Sequence, residues 1–284
     1  MNRRQLLLSA LPLAAGLMPG CSSAPKKSAL PGPPLPPDPR RPLSPSFASG
    51  PVPTSLPQGI RFSYSSCHVP GPFTAMTYDD GPHPSLTPRL LDMLAQWNLK
   101  ATFFLIGKNA AAYPRIVQRI VAEGHEVANH SWDHPALSKL SDAAVRSQLR
   151  RTHDTIFQAC GVASLCYRPP YGAITAAQKA WIAREFGYPT IMWSVDPNDW
   201  RDRNAGIVSS RIRAGARAGA IILAHDIHAT TVAAMPSTLP PLQQRGLRFV
   251  SVASLITMEA SGPNAGLAMA TPSQPITSYA PGTY

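Results

Sequence analysis

Two adjacent carboxylates, Asp79 and Asp80, follow the apolar run Pro72 to Met76 and lead into Gly81-Pro82. Fifty residues later stands His130-Ser131-Trp132-Asp133-His134. One carboxylate and two imidazoles are enough for a three-ligand divalent-metal site with an open position, the arrangement in which a bound ion activates water. The second carboxylate is then free to act as a base. Side by side, two ionised carboxylates repel, and a bound cation removes the conflict. Taken alone, the acidic pair reads equally well as turn chemistry, because Asp-Gly and Gly-Pro are turn formers.

The elements around these residues decide between the two readings. Short apolar runs alternate with longer amphipathic segments between Phe62 and Leu255. Strands are expected over 73–78, 101–106, 126–129, 166–168, 190–195, 220–224 and 248–252. Helices are expected over 87–97, 113–123, 142–160, 176–186, 205–216 and 232–244. This alternation specifies an α/β fold with a parallel sheet and crossovers. In a parallel α/β barrel, reactive residues sit at the strand C-terminal ends. Asp79 and Asp80 follow the first strand, His130 and His134 the third, and Arg168 and Tyr171 the fourth. Asp196 and Asp199 follow the fifth, and His225 the sixth. All the polar candidates thus share one edge.

With Tyr167-Arg168-Pro169-Pro170-Tyr171-Gly172, Asp196-Pro197-Asn198-Asp199-Trp200 and Leu223-Ala224-His225-Asp226, these segments make five motifs in order. They resemble those of the polysaccharide deacetylases, the NodB-like carbohydrate esterases of family four, over about Phe73 to Leu255. The resemblance implies a distorted, incomplete (β/α) barrel of about seven parallel strands, fewer than the eight of a complete barrel. It also implies metal-assisted hydrolysis of an N-acetyl group on an acetylated polysaccharide.

By the same resemblance, Asp80, His130 and His134 hold a divalent metal, with zinc the first choice and cobalt or another divalent ion as alternatives. Asp79 is the base, and Arg168 pairs with it. Either Asp199 or Asp196 contacts His225, the proton donor to the leaving amine, with Asp199 the preferred partner. Tyr171 offers its backbone N–H to the oxyanion, Leu223 shapes the acetyl pocket, and Trp200 lines the acetyl or sugar pocket. Asp226 and His228 are read as loop or supporting residues.

The expected substrate is N-acetylglucosamine in an envelope glycan, peptidoglycan first, with chitin oligomers, exopolysaccharide or xylan as alternatives. A metal-free glycan-binding module is the reading from another class. A serine hydrolase is excluded for want of a Gly-x-Ser-x-Gly elbow.

The rest of the 284 residues is organised around this domain. Residues 1–20 carry Arg3-Arg4 and an apolar stretch from Leu6 to Met18, the layout of a twin-arginine-like export signal too short for a membrane span. Gly20-Cys21 resembles a lipoprotein processing site, which makes Cys21 a lipidation candidate and the membrane a partner. Residues 21–60, dense in Pro and Ser, read as a tether, 61–259 as the catalytic domain and 260–284 as a disordered tail. The net charge of +11 favours anionic surroundings. Nucleic acid is not expected as a partner, because the Arg residues are scattered and no basic helix or aromatic platform accompanies them. Cys67, Cys160 and Cys166 leave one disulfide open to any pair of them.

Overall fold

The structure, a computed structural model, describes residues 56–261. The export signal, Cys21 and most of the expected tether and tail lie outside these residues.

The described strands are β1 (Ser63–Tyr64), β2 (Phe73–Asp79), β3 (Thr102–Leu105), β4 (Glu126–Asn129), β5 (Thr190–Ile191), β6 (Ile221–Ile222) and β7 (Arg248–Phe249). β4, β3, β2 and β6 lie side by side in parallel, β7 pairs with the start of β2, and β1 pairs with β5. Single-residue parallel bridges close the ring. Asn129 meets Tyr167, Tyr167 meets Thr190, and Val195 meets Ile222. The fold is a small, distorted α/β barrel.

The expected strand over 166–168 is therefore one bridging residue, and 190–195 is regular only at its first two residues. Between these bridges the backbone carbonyls of Ile191 and Met192 accept from the Arg168 side chain. β1 was not anticipated.

Side-chain alternation along the strands builds two layers of core. Met76, Tyr78, Phe103, Leu105 and Val127 face outward under the helices. Ala75, Phe104, Ala128, Ile191 and Ile221 pack together in a second cluster with Val252, Leu255 and Ile256 of the last helix. That helix, α10, spans Val252–Ala260, where sequence reasoning placed the end of a strand and no helix.

The other helices are α1 (Leu86–Gln96), α2 (Gly107–Ala112), α3 (Pro114–Ala122), α4 (Asp142–Cys160), α5 (Ala176–Phe186), α6 (Asp199–Asp202), α7 (Ala205–Gly215), α8 (Ala229–Ala234) and α9 (Leu239–Gln244). α4 and α5 match their expected bounds because both are capped by local chemistry. Ser141 accepts from the Ala144 N–H, Thr175 and Gln178 form a capping box, and Gly161 and Gly187 end the helices in the left-handed region. The single helix expected over 232–244 is instead α8, a short 3-10 turn and α9. Pro236, Pro240 and Pro241 lack the N–H that a continuous helix would use there. Cys67, Cys160 and Cys166 are all free thiols, Cys67 and Cys166 buried.

Candidate active site

The C-terminal ends of the strands surround a cleft of about 350 Å³ lined by Asp79, Asp80, His130, His134, Pro169, Tyr171, Trp193, Asp196, Trp200, Leu223 and His225. Asp79 is the last residue of β2. Its backbone N–H donates to the Ala224 carbonyl at 2.9 Å, which ties the two loops that carry Asp80 and His225.

Asp80, His130 and His134 present their ligand atoms within 4.8 Å of one another. The Asp80 Oδ1 atom lies 3.4 Å from His130 Nε2 and 3.2 Å from His134 Nε2. Two ligands of a tetrahedral ion, each at about 2.0–2.1 Å from it, stand roughly 3.3 Å apart. The same oxygen is buried and has no hydrogen-bond partner. His130 Nδ1 donates to the Arg168 carbonyl at 2.8 Å, which fixes the tautomer and leaves Nε2 bare toward Asp80 and His134. The donor set fits a divalent cation.

Local bonding explains how an irregular loop holds two imidazoles. Asn129 Oδ1 accepts from the Ser131 N–H, Ser131 Oγ accepts from the His134 N–H, and Asn129 Nδ2 donates to the Leu149 carbonyl in α4. Gln148 on α4 accepts from the Trp132 and Asp133 N–H groups. Burial disfavours the ionised form of Asp80, but the imidazoles of His130, His134 and His225 close to it outweigh that and hold the carboxyl below its ordinary range. Burial, followed by the charge of His130, lowers the His134 pKa.

Asp79 Oδ1 accepts from Arg168 Nη1 at 2.6 Å, and its Oδ2 stands 3.7 Å from His130 Nε2. Arg168 is wholly buried inside the barrel. Its remaining donors reach Thr77 Oγ1 at 2.8 Å and the carbonyls of Ile191 and Met192 at 3.2 Å each, and its guanidinium lies 4.1 Å from the centre of the Phe104 ring. A buried cation needs such satisfaction to remain where it is.

Across the cleft, His225 Nδ1 donates to Asp199 Oδ1 at 2.8 Å, while Asp199 Oδ2 accepts from the His225 N–H at 2.8 Å and Thr231 Oγ1 at 2.7 Å. Burial alone would lower the His225 pKa, but Asp199, helped by Asp79 and Asp80, raises it to about 9. Asp196 does not share this role. Its Oδ1 accepts from the Asn198 N–H at 2.7 Å and shapes the turn before α6.

Tyr171 is 72% exposed and sets its ring edge-on to His134 at 4.6 Å, and Trp200 is 50% exposed. Both rings are therefore available at the rim, while Leu223 is buried in the wall. The Tyr171 N–H meets no backbone acceptor among the described residues. Asp226 is fully buried behind the cleft, hydrogen-bonded to Thr87 Oγ1, and burial pushes its pKa up to about 7. Trp193, Thr231, Thr77 and Gln148 were missed from sequence. None of them carries a chemical signature of its own, and each matters through a contact made only in three dimensions.

The family model for polysaccharide deacetylase matches residues 68–191. A Listeria monocytogenes peptidoglycan-N-acetylglucosamine deacetylase, PgdA, is 46% identical over 181 residues, 64% of this chain and 38% of the relative. A Bacillus cereus peptidoglycan-N-acetylglucosamine deacetylase is 38% identical, with 64% of this chain and 67% of the relative aligned. A Bradyrhizobium chitooligosaccharide deacetylase is 40% identical, with 61% and 86% aligned. The chain therefore spans well under half the length of the Listeria relative.

The solved structure of peptidoglycan deacetylase PdaC from Bacillus subtilis superposes with a TM-score of 0.63 at 35% identity, covering 67% of this chain and 93% of that one. A Bacillus anthracis protein described as a CE4 family pseudoenzyme superposes equally well, with a TM-score of 0.63 at 30% identity and 66% of each chain covered. The chain belongs to the polysaccharide deacetylase family.

Proposed function

We propose that the chain hydrolyses the N-acetyl groups of N-acetylglucosamine residues in an envelope polysaccharide, peptidoglycan first, with zinc as its metal. The observation that carries this reading is the convergence of three separate sets on one cleft: the Asp80–His130–His134 donors, the Asp79–Arg168 pair and the Asp199–His225 pair. A fold shared with a pseudoenzyme does not by itself specify activity, so it is the completeness of the site that favours an enzyme over a glycan-binding module. The named relatives favour peptidoglycan.

Held by Asp80, His130 and His134, the cation would supply Lewis-acid polarisation of the acetyl carbonyl and a lowered pKa for water. Asp79 takes a proton from the attacking water. Arg168 fixes the orientation of that carboxylate, and its four further contacts prevent it from swinging away. The Tyr171 N–H faces the developing oxyanion. With Nδ1 committed to Asp199, His225 uses Nε2 to donate a proton to the leaving amine, and a pKa raised toward 9 keeps it charged at neutral pH. Leu223 and Trp193 limit the acetyl pocket, and Trp200 and Tyr171 offer faces to the sugar rings. The enzyme works outside the cytoplasmic membrane, exported by residues 1–20 and anchored through Cys21.

The test is acetate release from N-acetylglucosamine oligomers and from peptidoglycan, read beside metal content. Chelation should abolish release and added zinc restore it. His134→Ala should lose the metal, whereas Asp79→Asn should keep it and lose about a hundredfold or more in turnover. Asp79→Asn without metal but folded would exchange the ligand and base roles. Acetate release from acetylated xylan alone would overturn the substrate.

A further inference from the structure

The segment from Asn198 to Arg203 is bracketed by two non-glycine residues in the left-handed region, Asn198 at φ 53° and Arg203 at φ 46°. Such conformations are unfavourable and persist where the surroundings hold them. Here they hold the Arg203 side chain. Its Nε donates to the Trp200 carbonyl at 2.8 Å, and its Nη1 donates to His228 Nδ1 at 2.6 Å. His228 is nearly buried, and its ring lies 5.7 Å from that of His225. The guanidinium is therefore kept within about 10 Å of the His225 ring, the range over which charge is incompletely screened in ordinary buffers.

Arg203 differs from its neighbours in its charge balance. Arg201 and Arg211 both pair with Asp202, whereas Arg203 has no carboxylate partner among the described residues. A guanidinium has five donors, and two of these are committed, so the rest of the fork is free on a side chain that is exposed overall. Asp196, the carboxylate on the same wall of the cleft, has one oxygen engaged by the Asn198 N–H. An exposed guanidinium without a carboxylate partner among the described residues, held on the main-chain carbonyl of Trp200, whose own exposed indole lines the cleft, suits a sugar ring that bears a carboxylate.

We propose that Arg203 is a specificity residue that binds a carboxylate on the sugar next to the one being deacetylated, with Trp200 covering the ring face. This rests on the glycan reading above and narrows it to anionic strands: the neighbouring unit bears a lactyl ether or an attached peptide, rather than being a neutral hexosamine.

The test is binding, so that it does not depend on turnover. Dissociation constants are measured by calorimetry on the full chain for three strand preparations: intact peptide-bearing strands, peptide-free strands that retain the lactyl carboxylate, and the same peptide-free strands with their carboxylates amidated. Wild type should bind the carboxylated strands about tenfold more tightly than the amidated ones, in line with a partly exposed charge-assisted contact, and raised salt should erase the difference. Arg203→Gln should remove the preference and Arg203→Lys should retain part of it. Loss of preference on peptide-free strands assigns the lactyl group, and loss only on intact strands assigns the peptide. Equal binding of all three preparations by wild type, a preference unchanged in Arg203→Gln, or weakening of all strands alike would overturn the proposal. The last result would give Arg203 a purely structural role through His228. Acetate release measured separately reports on the deacetylase reading.

Discussion

Asp199→Asn changes one atom and should disable the acid side of the site. Asp199 accepts three hydrogen bonds: one on Oδ1 from His225 Nδ1, and two on Oδ2 from the His225 N–H and Thr231. An amide has one accepting oxygen and one donating nitrogen. The oxygen best replaces Oδ2, which serves two donors, and the amide nitrogen then faces Nδ1. Nδ1 must accept, so the imidazole becomes neutral with its proton on Nε2, a poor acid. Burial already pulls the His225 pKa down, and Asp199 is the largest influence that raises it from 6.5 to about 9. Asp79 and Asp80 still help in the variant, so the loss should be on the order of 2 to 3 kcal/mol, at about 1.4 kcal/mol per pKa unit.

The sign follows from a folded pKa raised above the unfolded one. The stabilisation is fully present below about 6.5 and disappears as the pH rises through about 9. The stability gap between wild type and Asp199→Asn should therefore be widest at pH 6 and narrow toward pH 10. Urea unfolding of metal-free protein across this range measures it, and an NMR titration of the histidines follows His225 directly. In loaded enzyme a cation at Asp80 offsets that residue's charge, so the alkaline limb of turnover should lie below 9 in wild type and move lower still in the variant, with kcat down about a hundredfold or more. A His225 that still titrates near 9 in Asp199→Asn, together with a loss in kcat under tenfold, would refute the reasoning.

Arg168→Gln leaves Asp79 buried without its cation and should cost about 3–5 kcal/mol in a denaturant titration, while a loss under about 1 kcal/mol would mean that the pair is dispensable. Gly81→Ala places a Cβ 2.6 Å from both Asp226 carboxylate oxygens, and since that carboxylate is fully buried the strain should lower stability by about 1–3 kcal/mol, seen as a lower Tm. Cys21→Ser should move the protein from the membrane to the soluble fraction with activity on soluble oligomers unchanged, and unaltered membrane partition would rule out the anchor.

The residues of the site could be read from sequence because their chemistry is local in type even where it is remote in position. A carboxylate pair at the end of an apolar run and two histidines four apart announce themselves before any strand pairing is known. The barrel was legible as an alternation of elements. Its closure was not, because the ring is completed by single residues such as Tyr167 and Val195, and one residue has no periodicity. The same limit hid the supports. Thr231 matters only because α8 passes Asp199, and Gln148 only because α4 passes the histidine loop. Arg203 looked like one scattered Arg among many until its contact with His228 placed it beside His225.

Left-handed backbone marks the same end of the barrel. Asp80, Ser131, His134 and Tyr171 all have positive φ, from 60° to 73°. Each such non-glycine residue costs on the order of 1 kcal/mol or more. The strain is held by specific bonds: Asn109 Nδ2 donates to the Asp80 carbonyl, Asn129 Oδ1 accepts from Ser131, and Ser131 Oγ accepts from His134. The opposite end shows the converse arrangement, with Val252, Leu255 and Ile256 of α10 packed into the apolar interior. Apolar burial at one end thus offsets strain at the other, and the side chains of Asp80, His130 and His134, the candidate metal ligands, are held in place by the fold itself. A site prepared in this way needs little rearrangement in the reaction, which is the condition under which charged groups in a cleft stabilise a transition state more than they stabilise the substrate.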